Sequence, residues 1–229
     1  ALPISKTTDR LDIVSADAAV TAGVLGGDEI NVVTGHNSVD AQNLQTQKLN
    51  NSTAGMDNTI DIASVGGMYA GKITLVANDT DAGIKNFGNI NASGSGITLA
   101  SDGKLAQHGR LAAQKGSVSI TAGGDIYNSQ QILAGTDLQL QTKGDLLSTG
   151  TIGSETGIIN LTAARDFTQT GSVRLEKGAL NINVGSDLYQ YGNISVQQGG
   201  TLLAVQGNSG QYGTISKRCR CSAEIPGTH

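Results

Sequence analysis

Apolar side chains recur along this chain at intervals close to 21 residues. Ile84, Leu105, Ile126, Leu146, Phe167 and Leu188 form one series. Six positions after each comes a second apolar residue, at Ile90, Leu111, Ile132, Ile152, Val173 and Ile194, and Ile215 continues that series. A third set alternates at period two: Ile97 and Leu99, Val118 and Ile120, Leu138 and Leu140, Ile159 and Leu161, Leu180 and Ile182. Alternation at period two is the mark of a strand, because successive side chains point to opposite faces. Each repeat is therefore predicted to hold three short strands, and the columns superpose only if each coil stacks on the last. The fold class that follows is all-β: a right-handed parallel β-helix, or solenoid, with coils of about 21 residues.

The polar positions fall in register too. Two places after each first anchor stand Asn86, Gln107, Asn128, Ser148, Gln169, Gln190 and Gln211, which by alternation face the same side as the anchors. Stacked amides that bond to one another up the rod would satisfy polar groups that are otherwise costly to bury. Asp125, Asp145, Asp166 and Asp187 each precede a first anchor. These carboxylates are expected to cap exposed corners by accepting backbone N–H groups. Calcium bridging is the sharper alternative, but the glycine-and-aspartate nonapeptides of calcium-binding β-rolls are absent. Gly88, Gly109, Gly150, Gly171, Gly192 and Gly213 mark the turn between the first two strands, and only Gln130 departs from that column.

Before Ile84 the spacing loosens. Strands are predicted at 11–15, 20–24, 30–33, 60–62, 68–70 and 73–76, with Tyr69 opposite Ile90, and Ile73 and Leu75 opposite Ile97 and Leu99. The polar stretch 35–59 is too long for a coil corner, so it is expected to leave the helix as a hairpin or a mobile loop. The resulting division is 1–82, a looser β-helix with its excursion at 35–59; 83–216, the regular repeat; and 217–229, a tail that breaks every column.

Composition narrows the picture. With 32 Gly, 2 Phe, no Trp and 38% apolar residues, the chain suits a thin core of Ile, Leu, Val and Ala. A net charge of −4 leaves no basic stripe to track phosphates, and aromatic platforms are missing, so nucleic acid is not an expected partner. No apolar run approaches the roughly 20 residues that span a bilayer. Cys219 and Cys221 are too close in sequence to staple a loop of consequence, and as two ligands they do not complete a metal site. His36, His108 and His229 lie in the long loop, at a coil corner and at the terminus, with no zinc spacing. No cofactor is expected. The residue Ala1 follows no recognisable leader, which suggests a processed chain or a fragment. Asp28 and Glu29 point to opposite faces and the aspartate column runs along a corner, so no catalytic carboxylate pair is legible and the chain reads as no enzyme.

The segment LDIVSADAAVTAGVLGGDEINVVTGHNSVD, followed by GGMYAGKITLV, resembles the later part of the secretion domain of filamentous-haemagglutinin-type exoproteins of bacterial two-partner secretion. The repeats from Ile84 onward resemble the haemagglutinin repeats that follow it, so the likeness runs over roughly residues 5–216. NVVTG and GGMYAGKI are its more specific strings. The early asparagine-proline motifs of that domain are absent. The resemblance implies export through an outer-membrane transporter β-barrel and a place outside the cell or at its surface, in an adhesin, a haemolysin or the stalk of a contact-dependent growth-inhibition toxin. The leading expectation is a structural stalk fragment of an adhesin, with glycans or receptors on host or neighbouring cells as partners and self-association through open β-helix ends. The alternatives are a carbohydrate-active β-helix enzyme, which a cleft flanked by two carboxylates on adjacent coils would favour, and a non-functional truncated remnant of a larger gene.

Overall fold

The computed structural model describes residues 8–40, 46–48 and 59–217. Among them every strand pairing is parallel except one, and no helix occurs. Nine three-residue strands stack in chain order to form one wall: Ala19–Thr21, Ile60–Ile62, Ile84–Asn86, Leu105–Gln107, Ile126–Asn128, Leu146–Ser148, Phe167–Gln169, Leu188–Gln190 and Ser209–Gln211. A second sheet of 12 strands supplies the rest of each coil. The molecule is thus a β-solenoid of about nine turns.

Register shows how the repeat becomes a core. Leu105 pairs with Ile84 and Ile126, Leu146 with Ile126 and Phe167, and Phe167 with Leu188. Leu111, Ile132, Ile152, Val173 and Ile194 form a second file, and Ile97 through Leu180 and Leu99 through Ile182 form two more. All of these side chains are buried in one apolar cluster. Each fully buried Ile or Leu contributes about 1.5–3 kcal/mol, so the thin core gains by repetition what it lacks in width.

Three separate short strands per coil was the expectation, and the last two instead run together. Asn89–Ser101, Thr151–Ala163, Ser172–Val184 and Asn193–Val205 are single strands of 13 residues. They bend at glycines with positive φ: Gly96 at 125°, Gly157 at 87°, Gly178 at 140° and Gly199 at 146°. The last three stack in register. A Cβ on Gly178 would lie 1.7 Å from the Gly157 carbonyl oxygen, so glycine lets the ladder turn the corner unbroken.

Two coils interrupt this strand. In one, Arg110–Ala113 is followed by Ser117–Ala122; in the next, Gln131–Ala134 is followed by Leu138–Thr142. Leu138 follows Ile132 by six positions, whereas Val118 follows Leu111 by seven and Ile159 follows Ile152 by seven. The coil of Gln131 is therefore one residue short, and the missing residue belongs to the corner at 135–137.

The early coils differ from expectation in one register. Met68, not Tyr69, pairs with Ile90, and Tyr69 is 43% exposed. A register shift between Ala70 and Lys72 absorbs the difference, so Ile73 and Leu75 still meet Ile97 and Leu99. A one-residue slip in a strand turns every side chain to the opposite face, and Met68 is the residue without polar atoms to hide. Within the excursion, Asn37–Val39 and Thr46–Lys48 form an antiparallel hairpin. Residues 41–45, 49–58 and 218–229, with Cys219, Cys221 and His229, lie outside the described residues.

Candidate functional site

The inward amide column is buried from Asn86 to Gln190, with Gln211 exposed on the last turn. Only part of it bonds from coil to coil. Asn86 Nδ2 donates to Gln107 Oε1 at 3.1 Å, and Asn128 Nδ2 to Ser148 Oγ at 3.1 Å. The glutamines instead turn back within their own coils: Gln107 Nε2 donates to the Gly109 carbonyl at 3.0 Å, Gln169 Nε2 to that of Gly171 at 2.6 Å, and Gln190 Nε2 to that of Gly192. The extra methylene of Gln lets its amide reach the carbonyl two residues on, which closes the turn at the glycine corner. Those glycines are crowded from below, since a Cβ on Gly171 would lie 1.9 Å from the Gly150 carbonyl oxygen. Asn128 Oδ1, Gln169 Oε1 and Gln190 Oε1 are buried without a partner.

The aspartates bond upward. Asp125 Oδ1 accepts the backbone N–H of Asp145 at 3.0 Å, Asp145 Oδ1 that of Asp166 at 3.1 Å, Asp166 Oδ1 that of Asp187 at 3.0 Å, and Asp187 Oδ1 that of Asn208 at 2.7 Å. Each carboxylate thus bridges two coils. Repulsion between like charges is relieved by Arg165, whose Nη2 lies 2.8 Å from Asp125 Oδ1 and 2.9 Å from Asp145 Oδ2, and by Lys104 Nζ, 3.3 Å from Asp125 Oδ2. The donated N–H groups of Asp145 and Asp187 hold the Asp125 and Asp166 carboxyls below the usual carboxylate range. Tyr189 donates its hydroxyl to Asp187 Oδ2 at 3.2 Å, and its pKa is pushed up by that bond. Among the described residues, no group of three or more His, Cys, Asp or Glu side chains could hold a metal ion.

At the short coil the surface is indented on both sides of the corner. Because Leu111, Ile132, Ile152 and Val173 point inward, the next residues, Ala112, Leu133, Gly153 and Arg174, form an outward file, paired in register. The first three of them floor a groove of about 610 Å³, whose walls are Arg110, Gln114, Gln131, Glu155, Arg174 and Glu176. Ala112 is only 3% exposed although it faces outward, because the walls rise around it. Beyond the corner a hollow of about 290 Å³ is lined by Ser117, Ser119, Asp137, Gln139, Ile158 and Asn160. Asp137 Oδ1 accepts the Ile158 N–H at 2.7 Å, so its side chain stands in for the residue the corner lacks. Glu155 and Glu176 lie on adjacent coils, since Ser154 pairs with Leu175 and Thr156 with Lys177. That meets the adjacency set out above for a carbohydrate-active cleft, but both carboxylates stand exposed on the rim, without the burial that prepares a general acid.

Composition alone hid an aromatic face. Of the 5 Tyr and 2 Phe, only Phe167 in the core and Tyr69 lie elsewhere. The rest gather along the wall of short strands. Phe87 stacks on His108 at 4.6 Å, His108 lies 5.1 Å from Tyr127, and Tyr191 stacks on Tyr212 at 4.9 Å. Lys85 Nζ sits 4.9 Å from the Phe87 ring centre. The expected lack of aromatic platforms is corrected accordingly: the rings are few, but the repeat collects them. In the excursion, His36 Nδ1 lies 2.8 Å from Oδ2 of the buried Asp79. The bond from His36 holds the Asp79 carboxyl below its usual range. No sequence motif joins residues so far apart.

Comparison with known proteins brings in relatives of much greater length. Toxin CdiA of Yersinia pestis is 37% identical over 125 residues, covering 52% of this chain and 4% of the relative. They are CdiA proteins of contact-dependent growth inhibition. The 16S rRNA endonuclease CdiA of Enterobacter cloacae is 31% identical over 161 residues, covering 62% of the chain and 5% of the relative. The tRNA nuclease CdiA-2 of Burkholderia pseudomallei is 30% identical over 105 residues, 46% of the chain and 3% of the relative. No family model matches the chain, and no solved structure does. Among the branches named by the resemblance, similarity falls on two-partner secretion proteins of the growth-inhibition kind, without singling out a haemagglutinin. The relatives overturn the expectation of no enzyme, because some of them are named as a 16S rRNA endonuclease and tRNA nucleases. The matched stretch of this chain spans only about 5% of the length of a protein named for that activity. The exclusion of nucleic acid, drawn from the charge of this stretch, does not carry over to such proteins.

Proposed function

We propose that this chain is part of the β-solenoid shaft of a CdiA-like exoprotein, exported by an outer-membrane transporter β-barrel and displayed outside the bacterial cell. In this reading the shaft projects an RNA-cleaving toxin of the same longer protein toward a neighbouring cell, and contact with that cell is the adhesive part of its work. Residues 83–216 form the regular shaft and 1–82 the later part of a secretion-domain-like β-helix. The supporting observation is the in-register stack of about nine parallel coils in a sequence whose relatives are CdiA proteins. A solenoid is stabilised through nearest-neighbour interfaces, so each coil that emerges is templated by the one before. At the far end of the described coils, Leu202, Leu203 and Ile215 are exposed, and a hollow leads past Ile182 and Leu188 into the core. In the isolated chain this is the surface through which copies self-associate.

The test is a register experiment in the full-length protein. Deleting one whole coil, residues 151–171, is expected to preserve surface display and inhibition of neighbouring cells. Deleting only 151–161 puts core residues out of file and is expected to abolish both. Loss of inhibition by the whole-coil deletion with display intact would overturn the shaft reading.

A further inference from the structure

We infer that the groove beside the short coil is a binding site for an uncharged oligosaccharide. The proposal is independent of the shaft reading, since it rests on one irregularity of the coil and on what that irregularity exposes.

The regular coils present a closed corner between their second and third files. The coil of Gln131 lacks one corner residue, and two hollows flank that position. The groove floor is made of small outward residues, of which Gly153 has no side chain and Ala112 only a methyl group. The sheet therefore lies shallow beneath the groove, with the Leu133 side chain beside Gly153. The coil spacing of about 4.8 Å is comparable to the length of one pyranose unit, so successive sugars would rest over successive coils.

Charge selects the ligand class. Arg110, Arg174, Glu155 and Glu176 line the groove, two of each sign. A polyanion meets the glutamates and a polycation the arginines. Vicinal hydroxyls, which donate and accept, suit both, because guanidinium and carboxylate each make paired hydrogen bonds. A lipid or an apolar peptide would need a wider apolar floor than Ala112, Leu133 and Gly153 supply. An open groove of this kind binds weakly, and avidity comes from many copies on one surface.

The intact chain would be titrated with maltotetraose and chitotetraose by saturation-transfer NMR, with a heparin-derived tetrasaccharide and tetralysine as charged controls. Saturation of at least one neutral tetrasaccharide is expected, with no comparable signal from the controls. Gly153→Gln fills the floor, and the added Cβ meets the flexible end of Leu133 at 3.0 Å and the Arg174 carbonyl oxygen at an ordinary 3.7 Å. It is expected to weaken binding by about tenfold or more with an unchanged circular dichroism spectrum. Should that variant unfold, Arg174→Gln with Glu155→Gln, both on the exposed rim, is expected to produce the same loss. The proposal falls if neither neutral sugar binds, if a charged control binds better, or if the folded variants bind as the parent does.

Discussion

The coils from Ile84 to Val196 and those before Ile84 are built on the same plan and held by different means. In the regular stretch interactions repeat from coil to coil: the aspartate ladder from Asp125 to Asp187, the glutamine-to-glycine closures at Gln107, Gln169 and Gln190, and the stacked glycines Gly157, Gly178 and Gly199. In the early coils polar pairs are made singly. Asn31 donates to Asp12, Thr34 to Thr59, Lys72 reaches Glu29, and His36 meets Asp79. In one early coil even the inward polar position is apolar, since Ile62 pairs with Asn86. A repeated bond lets every coil specify its neighbour, so insertion of whole coils is harmless. A single pair fixes one register and leaves room for an excursion such as the hairpin of Asn37–Val39.

The largest effect should come from the core. Phe167→Ala, at a fully buried site, is expected to cost about 3–5 kcal/mol and to lower the urea midpoint of the whole regular stretch. Ile62→Ala, also fully buried, should cost about 2–5 kcal/mol, with hydrogen exchange accelerating in the early coils alone. If exchange rises equally everywhere for both, the two regions are one cooperative unit and the contrast fails.

Glycine separates the regions more finely. Gly171→Ala must displace the Gly150 carbonyl and should cost about 1–3 kcal/mol. Gly23 has no atom within 4 Å of the added Cβ, and Gly23→Ala should be neutral or stabilise by up to about 1 kcal/mol. Equal thermal shifts for the two variants would refute the crowding argument.

Acid acts on both regions through different carboxylates. Asp125 and Asp166 in the ladder, and Asp79 beside His36, have folded-state pKa values below the ordinary 3.8. The unfolded chain therefore takes up protons first on acidification, and the stabilisation present above about pH 4 is lost as pH falls through the lower folded values. Asp166→Asn should flatten this fall for the regular coils, and Asp79→Asn for the early ones, in urea titrations between pH 5 and pH 2. An unchanged slope in both variants would remove these groups from the account.

The smallest effect is expected at Gln169→Met. It deletes the bond to the Gly171 carbonyl but also removes an unpaired buried Oε1, so the net change should stay within about 1 kcal/mol. A loss of about 3 kcal/mol or more in the urea midpoint would mean that the amides stabilise the coil as well as close its turns.

How much of this the chain discloses depends on what each position must do. Files such as Ile84 to Leu188 are legible because an inward site tolerates few side chains, so alternation survives in the letters. Met68 and Tyr69 are adjacent and both bulky, and the register shift at Gly71 conceals which one points inward. The interval of 20 between Ile126 and Leu146 is visible as a number. The groove it opens is not, because its walls are outward residues under no such restriction. The aromatic face escapes notice for a similar reason: its rings alternate between strand and corner positions, with Thr168 and Thr170 intervening. The distinction between Asn donating to the next coil and Gln donating within its turn depends on one methylene, and only coordinates reveal it.

The ladder has a mechanical corollary. Its hydrogen bonds run along the solenoid axis, so a pull on the two ends loads them head-on and in sequence from the outermost coil. Freeing one coil of 21 residues would release about 70 Å of extended chain in place of a rise of about 4.8 Å. Such an element stands stiff under bending yet pays out length under tension, one turn at a time, and winds back when the load is removed.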